Sequence, residues 1–248
     1  MMGKGYNRER VLTERVERIV EKETLRREEL DYLSFHKERI AFNVEIVSEM
    51  LERVESSCPK LLDVGPHIQT SVLSECAGEH VTINTLGWKN ERLVSDSDFE
   101  RHFEFDLNNA VDETLWPEIE AHDIVIMAEV IEHLHTAPSI ILDFLREHVE
   151  RGGYLVIQTP NAVDATKRLQ MLFGRHPYDQ IRENASNPGH FREYTKDELR
   201  EYVEEVGLEV QDAWYCDYWP QSGVRRLLEL AVPSLRRGIT LITRRPRD

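Results

Sequence analysis

The chain has 248 residues, which is enough for one large α/β domain with a sizeable core. With 31% charged and 40% hydrophobic residues it is globular, and its net charge of −15 excludes a general nucleic-acid binder. Three widely spaced cysteines exclude a disulfide framework and a zinc knuckle. The chain has no apolar run long enough to span a bilayer and its first ten residues are too polar for a secretory signal, so we expect a cytoplasmic protein.

Residues 1–57 are predicted to form an N-terminal helical extension. Residues 8–30 are dense in Glu and Arg and indicate an exposed helix. Apolar residues between 36 and 54 then recur every three or four positions, which is typical of an amphipathic helix. Two interpretations stay open: the extension packs on the main domain, or it forms a lid or a homodimer contact.

Residues 58–248 are predicted to form the main domain, in which strands alternate with helices. The predicted strands are residues 60–65, 80–85, 103–106, 123–128, 154–159, 208–214 and 239–243. The first strand ends at Gly65, and Pro66 is placed to open a helix whose free N–H groups would point toward an anion. This alternation predicts an α/β fold, a seven-stranded mostly parallel sheet with helices on both faces.

Residues 160–194 interrupt this alternation with prolines, glycines and aromatic residues, and are predicted to cover the substrate. The aromatic residues proposed to roof the pocket, or simply to pack, are Phe173, His176, Tyr178, Phe191 and Tyr194. A helix is predicted to begin at Thr195 and to end at Gly207.

The segment 224–237 is apolar and basic. Residues 221–248 carry seven Arg against Glu229 and Asp248, a balance of +5, which leaves −20 for residues 1–220. The pattern fits weak contact with a membrane surface, or a helix that only connects two strands.

The stretch 123–135 is the candidate centre of the molecule. A buried strand is followed by Glu129, Glu132 and His133, whose spacing predicts one face of a helix. Two carboxylates at this spacing repel unless a cation, a cofactor or an imidazolium lies nearby. Open α/β sheets build their sites where strands end in this way.

Five landmarks of the chain together resemble class I S-adenosylmethionine-dependent methyltransferases, and in particular the subgroup of ubiquinone-biosynthesis O-methyltransferases. The landmarks are Leu-Leu-Asp-Val-Gly at 61–65, Asp-Leu-Asn at 106–108, the stretch 123–134, residues 152–161, and His-Phe-Arg-Glu-Tyr-Thr at 190–195 before Gly-Leu at 207–208. The resemblance covers about residues 60–215 and implies a Rossmann-like fold, the cofactor S-adenosylmethionine and methyl transfer.

The resemblance implies cofactor contacts at three points. Asp63 and Gly65 would line the methionyl end of the cofactor, and Glu129 would lie near its ammonium group. Structural roles stay open, since Asp63 could hold the start of the next helix. The glycine loop departs from the family pattern, because Pro66 and His67 replace its further glycines.

The adenosine end of the cofactor is assigned in the same way. The resemblance places Asp106 against the adenine with the Leu107 backbone nearby, although Asp106 could also form a strand-end turn. Asn84 stands where the family has an acidic residue for the ribose. As a neutral partner it would bind a hydroxyl more weakly than a carboxylate does.

A hydroxyl acceptor must lose its proton during transfer, and a histidine is suited to remove it. His133 and His190 are the candidate catalytic residues, whereas His135 should point elsewhere. Glu129, Glu132, His133 and His190 also resemble the metal site of certain RNA 2′-O-methyltransferases and some ubiquinone-pathway enzymes. A divalent Mg, Mn or Zn ion is therefore an alternative that we do not favour at this stage.

The sequence thus predicts methyl transfer to an oxygen, or secondarily a nitrogen, of a small molecule, a glycan or a lipid-linked intermediate. Two alternatives remain. The first is a non-catalytic Rossmann-like module that has lost its cofactor. The second is a metal-dependent RNA 2′-O-methyltransferase, against which the acidic balance argues.

Overall fold

The computed structural model describes residues 27–88, 97–184, 188–218 and 223–248. Seven strands make up the sheet, as predicted. The chain divides into two compact units, with the boundary between Glu104 and Phe105. The predicted boundary near residue 57 stays a prediction. Among the described residues, none of the helices combines the length and the apolar character needed to cross a bilayer.

The first unit begins with helix α1, Arg27–Leu51. Its apolar residues from Ile40 to Met50 lie against α2, Ile68–Ala77, where Asn43 Nδ2 donates to Gln69 Oε1 at 2.7 Å. The predicted amphipathic helix is therefore confirmed, although it ends at Leu51 and not at Val54. Most of the more N-terminal predicted helix, residues 8–26, lies outside the described residues.

Three parallel strands complete the first unit in the order β3-β2-β1: β1 is Lys60–Val64, β2 is Thr82–Gly87 and β3 is Arg101–Glu104. The second and third strands differ by about two residues from their predicted bounds. The reason lies in the pairing of β1 with β2, because Lys60 pairs with Thr82 and the ladder continues to Val64 and Leu86.

The second unit has its strands in the order β4-β5-β7-β6. These are β4, His122–Ala128; β5, Val149–Pro160; β6, Glu209–Cys216; and β7, Gly238–Arg244. β4 and β5 are parallel, whereas β7 is antiparallel to both β5 and β6. Residues Ile124 to Met127 and Leu155 to Ile157 are fully buried, which explains why both strands read as continuous apolar runs.

The described part of the second unit contains four α-helices, and the bounds of one of them were predicted above. They are α3, Pro138–Glu147; α4, Ala165–Leu172; α5, Lys196–Glu205; and α6, Gly223–Ala231, which is followed by a 3₁₀ turn at Pro233–Leu235. Thr195 caps α5 reciprocally with Glu198, and Gly207 adopts φ 81°, so both predicted ends of this helix are confirmed.

The helix predicted directly after β4 does not form. Glu129 donates its backbone N–H to Gln158 as the last step of the ladder and then turns the chain with φ 56°. A single 3₁₀ turn follows at Ile131–His133. The polar residues therefore do not share a helical face, and only Glu132 and His133 stay together. A three-residue turn and the start of a helix have the same local spacing, so the pattern did not distinguish them.

Candidate functional site

Three predicted site residues meet in the second unit. Glu132, His133 and His190 each offer one ligand atom, and these atoms lie within 4.8 Å of one another. Glu129 was predicted to belong to the same metal constellation, but it is not part of this cluster among the described residues. The reason is its left-handed backbone, which separates it from the 3₁₀ turn that carries Glu132 and His133.

Glu132 is a fully buried carboxyl group that is only half satisfied. Thr159 donates its hydroxyl to Oε2 at 2.9 Å, while Oε1 has no hydrogen-bond partner in the described part of the chain. Oε1 lies 3.9 Å from His133 Nε2. Burial raises the pKa of Glu132, against the opposing influence of the two neighbouring imidazoles. A cation at this point would be favoured by the carboxylate it neutralises.

Both histidines are oriented through the same ring atom. His133 Nδ1–H donates to the Gly189 carbonyl at 2.9 Å, and His190 Nδ1–H donates to Glu193 Oε1 at 3.0 Å. The rings meet edge to face with their centroids 4.8 Å apart. Since Nδ1 carries the proton in a neutral ring, Nε2 presents a lone pair that can take a proton or bind a metal.

Glu193 is the functional residue that sequence reasoning missed. Its hydrogen bond, more than the opposing effect of burial, raises the pKa of His190. Burial tends to raise the pKa of Glu193 itself, but its bonds to His190 and Lys167 outweigh this, so the pKa is lowered. Lys167 also contacts Asp164 Oδ2 at 3.2 Å. The spacing of His190 and Glu193, three residues apart within one motif, was the available signal.

A cleft of about 580 Å³ opens beside this cluster. Its walls carry His176, Tyr178, Ile181, His190, Phe191 and Glu193, among others. Three of the five aromatic residues predicted to roof the pocket therefore line the cleft. Tyr194 is instead buried, with 1% of its surface exposed, and Phe173 is 71% exposed. Neither of these two residues lines the cleft.

The predicted adenine-side residues form a tight turn in the second unit. Asp106 Oδ1 accepts hydrogen bonds from the Asn108 backbone and side chain at 2.9 and 3.0 Å. Asp106 caps the 3₁₀ turn that begins at Leu107, which is buried. Oδ2 has no hydrogen bond to the described residues, so it can accept one from an amino group. Asn108 Oδ1 in turn accepts from the backbone N–H of His135 at 2.9 Å.

The predicted cofactor residues of the first unit are arranged differently from the expectation. Gly65 has φ 77°, which permits the sharp turn after β1. Asp63 is buried and faces inward, where Thr70 and Gln69 donate to its two oxygens at 2.7 and 3.4 Å. This is the structural role that was considered for Asp63. Asn84 is buried within β2, three residues before the strand ends, and not after it.

Two of the N–H groups that were predicted to be free at the start of α2 are occupied within the chain. His67 is the N-cap, so Pro66 lies before the helix and not at its first position, where it was predicted to lie. Its Nδ1 accepts from Gln69 N–H at 3.0 Å, and the His67 carbonyl accepts from Thr70 N–H at 2.7 Å. These bonds occupy two of the donors that an anion would use. The side chain of His67, which replaces a glycine of the family pattern, therefore binds one of these N–H groups itself.

Comparisons with known proteins give a common description. Residues 6–213, most of the chain, match the family described as Methyltransferase domain. No curated protein matches the chain. A SAM-dependent methyltransferase from Archaeoglobus fulgidus is similar with TM-score 0.52 and 15% identity, covering 86% of this chain and 99% of that one. One from Methanosarcina mazei has TM-score 0.53 and 11% identity, covering 80% and 98%.

The solved structure of the [4+2]-cyclase SpnF is also similar, with TM-score 0.51 and 14% identity over 83% of this chain and 82% of that chain. At such identities the likeness shows the fold alone, which is the Rossmann-like fold expected from the sequence. The family assignment rests on the match over most of the chain. The chain therefore belongs to the methyltransferase domain family of enzymes.

Proposed function

We propose that this enzyme uses S-adenosylmethionine to methylate an oxygen of a small molecule, a glycan or a lipid-linked intermediate. The family match supports methyl transfer. The two archaeal structures of the same fold are described as SAM-dependent, which supports the choice of cofactor. The available Asp106 Oδ2 supports adenine recognition in the second unit, where it would accept from the amino group.

The choice of an oxygen acceptor rests on the His190–Glu193 pair in the wall of the cleft. When bound, the cofactor supplies an activated methyl group. As the new carbon–oxygen bond forms and the carbon–sulfur bond of the methyl group breaks, the acceptor hydroxyl would lose its proton to Nε2 of His190, and S-adenosylhomocysteine would be the leaving group. Glu193 holds the ring in the required tautomer and stabilises the imidazolium that results. The ring of His133 meets that of His190 edge to face, and its Nε2 is a second possible proton acceptor.

Turnover of labelled cofactor tests this proposal. We expect label to enter an extract of small hydroxylated metabolites, glycans or lipids, with S-adenosylhomocysteine as the second product. Calorimetry with S-adenosylhomocysteine should give measurable heat at micromolar to millimolar concentration, about the affinity range of ordinary enzyme ligands. Absence of both heat and thermal shift at millimolar ligand would favour the non-catalytic module. Transfer of label into RNA would favour the RNA 2′-O-methyltransferase.

A metal-dependent version of the same reaction has a specific observation in its favour. Glu132 Oε1 is buried and has no hydrogen-bond partner among the described residues. It shares the cluster with the histidines at 133 and 190, whose Nδ1 atoms are both occupied. One carboxylate and two imidazoles suit Zn²⁺ or Mn²⁺. These three residues would hold the ion, which would supply a Lewis acid for the acceptor oxygen.

Elemental analysis and chelation separate the two versions. If an ion is part of the site, we expect one equivalent of metal per chain and loss of activity with EDTA, restored by adding the metal. Glu132→Gln should then abolish metal binding, because it removes the only anionic ligand of the cluster. In the metal-free version, EDTA has no effect and Glu132→Gln keeps most of the activity. Glu201→Gln provides the matched control, since Glu201 is exposed on α5 and lies outside the cluster.

A further inference from the structure

Helix α6 has its burial pattern reversed relative to an ordinary amphipathic helix. The charged Glu229 is 4% exposed, whereas Leu227, Leu228 and Leu230 are 67%, 52% and 61% exposed. Val232 follows with 42% exposed. A surface helix normally buries its leucines and exposes its charges. The outward leucines of α6 therefore need a partner outside this chain's described core.

Helix α4 presents a second set of exposed apolar side chains. Leu169, Leu172 and Phe173 have the i, i+3, i+4 spacing of one helical face and are 55%, 78% and 71% exposed. Met171 is 45% exposed, and α4 buries none of its own residues. Monomeric proteins rarely expose a continuous apolar area of more than a few hundred Å².

One arginine connects these two helices to the acceptor cleft. Arg168 of α4 donates from Nη2 to Ser234 Oγ at 2.9 Å, three residues beyond the end of α6. Its Nε donates to the carbonyl of Val163, which lines the cleft. Arg168 thus makes α4 a neighbour of the turn after α6 and of the cleft wall, and we take the exposed apolar residues of the two helices as one set. We call this set the α4–α6 surface, and it consists of Leu169, Met171, Leu172, Phe173, Leu227, Leu228, Leu230 and Val232.

The charge around the α4–α6 surface selects its partner. Arg175 follows α4 and Arg226 lies within α6, and both are exposed. Residues 223–237, which contain α6 and the turn after it, have four Arg against Glu229, a balance of +3, in a chain whose other residues sum to −18. An anionic surface would therefore attract this side and be repelled by the rest of the protein. Leucine and phenylalanine flanked by arginine are typical of helices that lie in the interface of anionic membranes.

We propose that the α4–α6 surface docks on an anionic lipid bilayer, with the cleft facing the membrane. Leu172 and Phe173 would enter the boundary between headgroups and acyl chains, and Arg226 would pair with lipid phosphates. In combination with the proposed methyl transfer, on which this last step rests, the docking identifies the acceptor as an amphiphile that reaches the cleft from the membrane. A lipid-linked intermediate would then be the substrate class.

Vesicle sedimentation of the full chain tests the docking without cofactor or acceptor, so its result is independent of the methyl-transfer assay. We expect binding to phosphatidylcholine vesicles that contain about a quarter phosphatidylserine. The double variant L172S/F173S should bind about tenfold more weakly or worse. Arg226→Gln should weaken binding about fivefold, and added salt should weaken it further.

The matched control replaces two apolar residues that are equally exposed elsewhere in the second unit, Val111 and Leu115, which are 62% and 55% exposed. V111S/L115S should bind vesicles as the unchanged chain does, and circular dichroism should show that all variants are folded. Failure of the unchanged chain to pellet would overturn the proposal. So would equal losses in the control variant. Concentration-dependent dimers that L172S/F173S abolishes would assign the surface to a second copy of the chain instead.

Discussion

Replacing His190 by alanine should lower kcat by about 10²–10⁴-fold, the usual contribution of a positioned general base. His190 is the imidazole that combines a place in the cleft wall with a carboxylate on Nδ1. KM for the acceptor should change far less, because the proton is removed only as the transition state forms. Initial rates over a range of acceptor concentration separate the two quantities.

His135→Ala is the matched control for this loss. Its ring contacts Phe191, with centroids 5.6 Å apart, and it is not part of the cluster with Glu132. We therefore expect its kcat within about threefold of the unchanged enzyme, since surface changes away from a site have small effects. Added imidazole should partly restore H190A if the ring acts as a base. An equal loss in both variants would remove the assignment.

The pH profile gives a second, independent measure of the same pair. The Glu193 carboxylate raises the pKa of His190, and the base is active only when neutral. Activity should therefore fall as the pH drops through this raised pKa. In Glu193→Gln the pKa falls, so the acidic limb of kcat/KM should move to lower pH. The plateau should also be lower, because a less basic imidazole accepts the proton less readily. An unmoved limb would contradict the pairing.

The sequence predicted the parts of the fold that depend on local pattern and on strong end signals. Buried strands such as β4 and β5 read as apolar runs because both of their faces are covered. Thr195 was predicted to begin α5, and in the structure it caps this helix reciprocally with Glu198. Boundaries were less certain where a polar residue lies inside a strand. Asn84 in β2 is buried through tertiary context, which local composition does not contain.

The sequence identified the three residues of the cluster, but it did not predict how they are arranged. His133 and His190 were both chosen, yet they are joined through contacts across 56 residues, such as that between His133 and the Gly189 carbonyl. Glu129 was grouped with Glu132 because a helix was expected. The left-handed backbone of Glu129 prevents that helix and separates the two side chains. Backbone dihedrals of this kind are set by packing around the turn, so periodicity cannot supply them.

Replacing Asp63 by asparagine should stabilise the protein at pH 8 and destabilise it at pH 3. Asp63 lies buried in the first unit and accepts from Thr70 Oγ1 at 2.7 Å and from Gln69 Nε2 at 3.4 Å. Burial raises the pKa of its carboxyl from 3.8 to about 7, even though both hydrogen bonds act in the opposite direction. Gln69 is itself fixed by Asn43, so the network cannot turn to offer further donors.

The dependence on pH follows from this raised pKa. In the unfolded chain the carboxyl ionises near pH 3.8, whereas in the folded protein it keeps its proton until about pH 7. Its contribution to stability is therefore complete below pH 3.8 and is lost as the pH rises through 7. Above that pH the buried carboxylate costs on the order of 4 kcal/mol relative to a carboxylate in water. Asparagine avoids this cost at every pH.

Asparagine also changes one hydrogen bond, and that change sets the size and the crossover of the effect. Its amide can accept from Thr70, but its NH₂ group then faces the Gln69 amide donor, a mismatch of about 1 kcal/mol. The net expectation is a gain of about 3 kcal/mol in the free energy of unfolding at pH 8 and a loss of about 1 kcal/mol at pH 3, with the sign changing near about pH 4.5. Urea denaturation at both pH values measures this difference.

Glu79→Gln, at an exposed position of the same unit, is the control and should shift neither midpoint. If D63N were instead less stable at pH 8 as well, the Asp63 carboxylate would have to be ionised beside a cation in the folded protein. Since the described neighbours of its oxygens are neutral donors, that cation would have to come from a ligand. The same denaturation series with and without S-adenosylhomocysteine, whose amino-acid end was the predicted neighbour of Asp63, would then identify it.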